Sequence, residues 1–67
     1  MIEIQLNGET RALHKAATIT DLLAEIGIAP VKVAVERNLE IVPKSLFSQT
    51  PLHAGDRIEI VQFVGGG

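Results

Sequence analysis

Apolar and polar residues alternate from Met1 to Leu6, with the isoleucines and the leucine on one face and polar residues on the other. A period of two is typical of a half-buried β-strand. Asn7-Gly8 follows this stretch, and both residues tolerate the positive φ angles of a tight hairpin turn. The pattern therefore predicts a second, antiparallel strand over residues 9–13.

Two further stretches alternate in the same way, Val31 to Glu36 and Arg57 to Val64, and each predicts a strand. After the first of them we expect a turn at Arg37-Asn38 and a short strand from Leu39 to Val42. Five strands are thus expected, of which the fourth is the shortest.

The connection over residues 44–52 has no sustained period. Leu46 and Phe47 are expected to fix a short helical turn over one end of the core. Ala54-Gly55-Asp56 is a turn sequence that leads directly into the last strand.

One helix is predicted between the second and third strands. Thr18 can cap its first turn, and Asp21, three residues later, supplies an acidic relative of the capping box. Gly27 suits the left-handed residue that ends a helix, and Pro30 prevents the helix from resuming. The apolar stripe at helical spacing consists of Ile19, Leu22, Leu23 and Ile26.

The predicted order is strand, strand, helix, strand, short strand, strand, which indicates an α+β domain. It is the order of a β-grasp, ubiquitin-like fold: a mixed sheet of four to five strands with one main helix on one face. The first and last strands are expected to lie parallel at the centre of the sheet. We expect residues 1–64 to form the domain and residues 65–67 a flexible Gly-Gly-Gly tail.

Composition narrows the function classes. The chain has no cysteine, a net charge of −2 and two aromatic residues, so a thiol nucleophile, a disulfide and a nucleic-acid partner are not expected. No apolar run approaches the roughly 20 residues of a membrane span, and a cytoplasmic location is expected. His14 and His53 have no partner groups at metal-ligand or triad spacing, so neither a metal site nor a catalytic residue is predicted.

Parity along the last strand predicts a surface. If Ile58 and Ile60 face the helix, Val61 and Phe63 face solvent beside the point where the chain leaves the sheet. Together with Val64 they form a candidate partner surface. The alternative is that they are single exposed apolar residues, which are common on protein surfaces.

Gly65, Gly66 and Gly67 follow this strand. Glycine has no Cβ, so these residues add no side-chain packing but can give a partner close access to the backbone. We interpret them as a thin arm that carries the Gly67 α-carboxylate into another protein's active site. A loose terminus or a spacer is the alternative interpretation.

Four segments also match a family pattern over essentially the whole chain: Ala17-Thr18-Ile19-Thr20-Asp21-Leu22-Leu23, Val33-Ala34-Val35-Glu36-Arg37-Asn38, Glu40-Ile41-Val42-Pro43 and the ending Ala54-Gly55-Asp56-Arg57-Ile58-Glu59-Ile60-Val61-Gln62-Phe63-Val64-Gly65-Gly66-Gly67. They resemble the sulfur carrier family of thiamine biosynthesis (ThiS). The terminal Gly-Gly alone is shared with ubiquitin and other carriers, and the combination with the other segments is more specific.

The resemblance implies a carrier without catalytic residues of its own. An E1-like adenylyltransferase (ThiF-type) would use ATP and Mg to adenylate the Gly67 carboxylate. A cysteine desulfurase or another sulfur donor would then convert it to a thiocarboxylate, and a thiazole synthase (ThiG-type) would take the sulfur for the thiazole ring. No cofactor bound by the chain itself is implied.

Other classes share the same ending and stay open at this point. They are the small subunit of molybdopterin synthase, a sulfur carrier for cysteine synthesis or tRNA thiolation, a ubiquitin-like conjugating tag, and a small interaction domain with an inert tail.

Overall fold

Five strands, one α-helix and two short 3₁₀ helices make up residues 1–63, the part of the chain that this computed structural model describes. In chain order they are β1 (Ile2–Leu6), β2 (Glu9–Leu13), α1 (Ile19–Ile26), a 3₁₀ helix (Pro30–Lys32), β3 (Val33–Arg37), β4 (Glu40–Val42), a second 3₁₀ helix (Lys44–Leu46) and β5 (Arg57–Gln62).

The strands form one mixed sheet in the order β2-β1-β5-β3-β4. Strand β5 occupies its centre. It runs parallel to β1 through the pairs Gln5↔Arg57 and Leu6↔Ile58, and antiparallel to β3 along the full length of that strand. The predicted α+β class, the β-grasp strand order and the central parallel pair are therefore confirmed.

The hairpin of β1 and β2 forms where Asn7-Gly8 predicts it. Asn7 has φ 50° and Gly8 has φ 85°, and positive φ at both central residues matches the right-handed twist of the flanking strands. The register pairs Ile2 with Leu13 and Leu6 with Glu9, so β2 covers residues 9–13 as expected.

Helix α1 has the predicted caps. The Thr18 hydroxyl accepts from the Asp21 N–H, and the Asp21 carboxylate accepts from the Thr18 N–H, which completes a capping box. Gly27 ends the helix in the left-handed conformation at φ 80°. No helix among residues 1–63 has the length and hydrophobicity needed to cross a membrane.

The core lies between α1 and one face of the sheet. Isoleucine, leucine and valine side chains from both layers dominate it, as the alternation of β1, β3 and β5 and the stripe of α1 predict. Its buried members are Ile4, Leu13, Ile19, Leu22, Leu23, Val33, Val35, Val42, Phe47, Leu52, Ile58 and Ile60, with Ile2 and Ile26 partly buried against them.

The aperiodic segment 44–52 closes the amino-terminal end of α1. The first N–H groups of a helix have no partner within it. Here the Ile19 N–H donates to the Thr50 carbonyl at 3.1 Å and the Thr20 N–H to the Phe47 carbonyl at 3.1 Å. Residues 44–52 are therefore held in place by their hydrogen bonds to the helix and by the buried Phe47 ring. These contacts do not require a periodic sequence.

Two apolar residues were misplaced by the sequence patterns. Val31 was expected in the third strand, but Pro30 has no N–H to give to a sheet and instead begins a 3₁₀ helix, which leaves Val31 72% exposed. Leu46 was expected beside Phe47 over the core and is 43% exposed instead, because the 3₁₀ turn directs only Phe47 inward.

The turn between β3 and β4 lies one residue later than predicted. Asn38 and Leu39 both have positive φ, 52° and 73°, so the central turn residues are Asn38-Leu39 and β4 begins at Glu40. A leucine in this region is unusual because its Cβ crowds the backbone. At the other end, β5 ends at Gln62, and the predicted extension to Val64 falls outside the described residues.

Candidate functional site

The chain leaves the sheet from its centre. Beyond Gln62, the last residue of β5, the Phe63 N–H still donates to the Lys32 carbonyl at 2.8 Å, which extends the pairing with the β3 side by one residue. On the opposite side, pairing with β1 stops at Ile58. The end of β5 therefore extends beyond its pairing with β1. Val64, Gly65, Gly66 and Gly67 lie outside the described residues.

The solvent face beside this end carries the apolar pair that parity predicts. Val61 is 61% exposed and Phe63 53% exposed, while Ile58 and Ile60 are buried under α1. Ala34 is paired with Val61 and is exposed as well, and the Lys44 ammonium lies 5.3 Å from the centre of the Phe63 ring. We call Ala34, Lys44, Val61 and Phe63 the exit surface.

A hydrogen bond network joins the beginning of β5 to the β3–β4 turn. The buried Asp56 carboxylate accepts from Arg37 Nε at 3.0 Å, from Asn38 Nδ2 at 3.1 Å and from the His53 N–H at 2.8 Å. Asn38 Oδ1 in turn accepts from the Arg57 N–H at 2.9 Å. The sequence pattern predicts Asp56 and Asn38 only as turn residues, and no local signal indicates the contact between them.

The Asp56 network predicts a loss of stability in acid. Burial by itself raises the pKa of the Asp56 carboxyl, but the bonds from His53, Asn38 and Arg37, with the Arg37 charge, outweigh it and hold this pKa below the ordinary value of 3.8. The carboxylate therefore stabilises the fold fully above its unfolded pKa, which is close to this ordinary value, and the contribution is lost as the pH falls through the lower folded value. Urea unfolding at a series of pH values measures this change in the free energy of unfolding.

Asp56→Asn is expected to lower the free energy of unfolding near pH 7 by about 1–3 kcal/mol and to weaken its decline below about pH 4. Asp21 is a second contributor, because the Ala17 and Thr18 N–H groups lower its pKa, so Asp21→Asn is measured beside it. A variant Asp56→Asn with the parent's stability and acid profile would contradict this account.

The two histidines of the chain lie outside its strands. His14 follows β2 and His53 precedes β5, both exposed. Within residues 1–63 no three His, Cys, Asp or Glu side chains come close enough together to hold a metal ion. What the described fold does organise is the direction and surroundings of the outgoing strand.

The chain is similar in sequence to known proteins over nearly its whole length. A family model described as the ThiS family matches residues 4–67. A thiazole synthase of Paramagnetospirillum magneticum is 50% identical over 66 residues, which is 98% of this chain and 20% of that protein. The chain thus spans about a fifth of the length of that relative. The sulfur carrier protein ThiS of Bacillus subtilis is 46% identical over 65 residues, 96% of this chain and 98% of the relative.

A solved structure agrees with these sequence matches. The crystal structure of the thiamine biosynthesis protein (ThiS) from Geobacter metallireducens has a TM-score of 0.83 and 30% identity, over 98% of this chain and 100% of that chain. Strand order, central parallel pair and single helix therefore define a β-grasp, ubiquitin-like domain. Within that class, the chain belongs to the ThiS family, as the resemblance of its sequence indicated.

Proposed function

We propose that this chain is a sulfur carrier of thiamine biosynthesis and that the Gly67 α-carboxylate carries the sulfur. The observation that supports this most is the family match, which runs from the core residue Ile4 through the glycines to Gly67. The near full-length similarity to the sulfur carrier of Bacillus subtilis supports it further.

The chemistry requires activation of a carboxylate, which is itself a poor electrophile. A Gly67 carboxylate oxygen attacks the α-phosphorus of ATP and pyrophosphate leaves, which gives an acyl-adenylate. A persulfide sulfur then attacks the acyl carbon and displaces AMP. A thiol reductant cleaves the resulting S–S bond and leaves a thiocarboxylate on Gly67. The Mg-ATP belongs to the activating enzyme and not to this chain.

In this proposal the folded domain binds the partner, and the glycine tail enters the partner's active site. Gly65 to Gly67 span at most about 10–11 Å when extended, at about 3.3–3.6 Å per residue. That length is sufficient to place the last carbonyl in a recessed site while the domain stays outside. Gly65 and Gly66 present no side chain, so a partner can close around their backbone.

Three partners follow from this proposal, all of them in the cytoplasm. They are an E1-like adenylyltransferase of the ThiF type, a cysteine desulfurase or another sulfur donor, and a thiazole synthase of the ThiG type. The last is supported by the thiazole synthase of Paramagnetospirillum magneticum, because a segment 50% identical to this chain occurs within that protein.

Reconstitution tests the proposal. The chain ending at Gly67 is incubated with an E1-like adenylyltransferase, Mg-ATP, a persulfide donor and a thiol reductant, and its intact mass is measured. The expected product is heavier by the mass difference between sulfur and oxygen, and it does not form when ATP is omitted. No mass increase under complete conditions would contradict the proposal.

The alternative classes of protein predict different experimental outcomes. A conjugating tag would yield isopeptide adducts with lysine side chains. A molybdopterin synthase subunit would co-purify with a larger subunit that binds a pterin. A carrier for another pathway would form the thiocarboxylate but would not support thiazole formation by a thiazole synthase.

The exit surface is proposed as the place where the adenylyltransferase docks. Val61→Ser is expected to raise the Kd for that enzyme roughly ten-fold or more, because burial of one such side chain stabilises a complex by about 1.5–3 kcal/mol. The free energy of unfolding stays close to the parent value, since Val61 is 61% exposed. Titration calorimetry measures the affinity, and Phe63→Ala is expected to behave alike.

Leu39→Ser is the matched control. Leu39 is also an exposed apolar residue, but it lies in the β3–β4 turn, near the beginning of β5. The substitution Leu39→Ser should leave the Kd for the adenylyltransferase unchanged. Equal losses of affinity in Val61→Ser and Leu39→Ser would contradict a docking role for the exit surface. Val64, the third member predicted from the sequence, lies outside the described residues and stays a prediction.

A further inference from the structure

Strand β5 loses its neighbour on one side before it ends. The last backbone bond from the β1 side is donated by the Asn7 N–H to the Ile58 carbonyl at 2.9 Å, and the chain then turns into β2. Residues 59–62 continue beside β3 alone. The vacated side is a surface groove of about 240 Å³ lined by Leu6, Asn7, Ile26, Ile28, Ile60 and Gln62.

The Asn7 side chain takes the place of the missing strand. Its Oδ1 accepts from the Ile60 N–H at 2.7 Å, and its Nδ2 donates to the Ile60 carbonyl at 3.2 Å. A carboxamide offers the same donor and acceptor as a peptide group, so these two bonds satisfy Ile60 as a longer β1 would. Asn7 thus has two roles, because its φ of 50° also forms the hairpin turn.

We propose that Asn7 is a positioning residue for the outgoing chain: its carboxamide holds β5 at Ile60 and thereby fixes the direction in which the strand leaves the sheet. Ile60 is the last residue of β5 that the described structure supports on both sides. Without the carboxamide, β3 is the one neighbour within residues 1–63 that holds the backbone of residues 59–62, and the strand can shift toward the groove. This role rests on the proposed function, in which an enzyme must receive the chain end in one geometry.

The consequence for activation is kinetic. A strand held in one direction loses less conformational entropy when a partner binds it. A small displacement of a reacting group can also cost up to about 100-fold in rate. Loss of the Asn7 bonds should therefore reduce adenylation of Gly67 more than it reduces the amount of folded protein.

Asn7→Gly and Gly8→Ala separate this role from the turn. Asn7→Gly accepts the positive φ and deletes the carboxamide. Gly8→Ala strains the same turn, because Gly8 has φ +85°, but keeps the carboxamide. Asn7→Asp keeps an acceptor for the Ile60 N–H but places a carboxylate oxygen against the Ile60 carbonyl in place of the donor, so it should weaken the contact while the turn is kept.

Two readouts are compared, both below the unfolding temperature of each variant. Amide exchange of Ile60 by NMR should be about five- to ten-fold faster in Asn7→Gly, faster than in the parent in Asn7→Asp, and close to the parent in Gly8→Ala. The kcat/KM for adenylation of the carrier should fall about ten-fold or more in Asn7→Gly and stay near the parent value in Gly8→Ala.

Equal losses of kcat/KM in Asn7→Gly and Gly8→Ala would overturn the positioning role, since both would then act through the turn. An Ile60 amide that exchanges at the parent rate in Asn7→Gly would overturn it as well. A parent chain that is not adenylated at all contradicts the proposed function instead. The exchange measurement then still decides whether Asn7 holds the strand.

Discussion

Deletion of Gly67 is expected to reduce thiocarboxylate formation strongly and to leave the thermal unfolding midpoint essentially unchanged. The shortened chain ends in a carboxylate of the same chemistry, but that group lies one residue, about 3.5 Å, short of its former reach. Since displacements of about 1 Å can cost up to 100-fold, we expect a loss of at least about 100-fold in the rate of sulfur incorporation. Stability is expected to be retained because the buried core of the described residues, 1–63, is formed by side chains between Ile4 and Ile60.

Gly67→Ala is the matched control for this deletion. It keeps the length and the carboxylate and adds only a methyl group, so the expected loss is smaller and arises from steric crowding in the partner. Intact-mass analysis of the reconstituted reaction and a thermal melt of each variant give the two quantities. Sulfur incorporation by the shortened chain at the parent's rate would show that Gly67 does not carry the reacting group.

Leu22→Ala is expected to show the opposite pattern, with a large loss of stability as its first effect. Leu22 is fully buried in the core between α1 and the sheet. Truncation of such a side chain removes its transfer free energy and leaves a cavity, which costs about 2–5 kcal/mol. A core of this size supplies only a few kcal/mol in total, so a measurable fraction of the variant should be unfolded at 37 °C.

Urea unfolding at low temperature measures the change, with Glu25→Ala as the control. Glu25 is exposed on the same helix, and its replacement should stay within about 0.5 kcal/mol of the parent. The folded fraction of Leu22→Ala should accept sulfur at the parent's rate per folded molecule. A change below about 1 kcal/mol would show that this residue does not contribute to the core as described.

The elements that the sequence predicts correctly are those whose signals are local. Asn7-Gly8 fixes a turn because both residues accept positive φ, and the Thr18 capping box and Gly27 mark the ends of α1 within a few residues of each. The alternation in β5 likewise places Val61 and Phe63 on the solvent face. These features depend on backbone preference and periodicity, which a sequence displays directly.

The features that the sequence does not reveal depend on contacts between distant residues. The bonds from Asn7 to Ile60 join positions 53 residues apart. The carboxylate of Asp56 joins the turn that precedes β5 to the turn that follows β3. Neither contact has a periodic pattern. The misplacement of Val31 has a local cause, the preceding proline, which outweighs the alternation that follows it.

For the candidate site, the sequence and the fold contribute different parts. The resemblance of the sequence indicated the family, which the comparisons confirm. The fold adds the exit of β5 from the centre of the sheet, the exit surface and the Asn7 contact. The reactivity of Gly67 stays a proposal, and the residues that surround the outgoing strand are proposed to orient and identify it.

Tandem mass spectrometry of the carboxyl-terminal peptide, from protein purified from its native host grown without thiamine, tests the central claim most directly. The account predicts a fraction of molecules in which sulfur replaces one oxygen, with the extra mass located on Gly67, and a smaller fraction after growth with thiamine. Peptides that end in an unmodified Gly67 carboxylate under both conditions, or in which Gly67 is joined to a lysine by an amide bond, would contradict it.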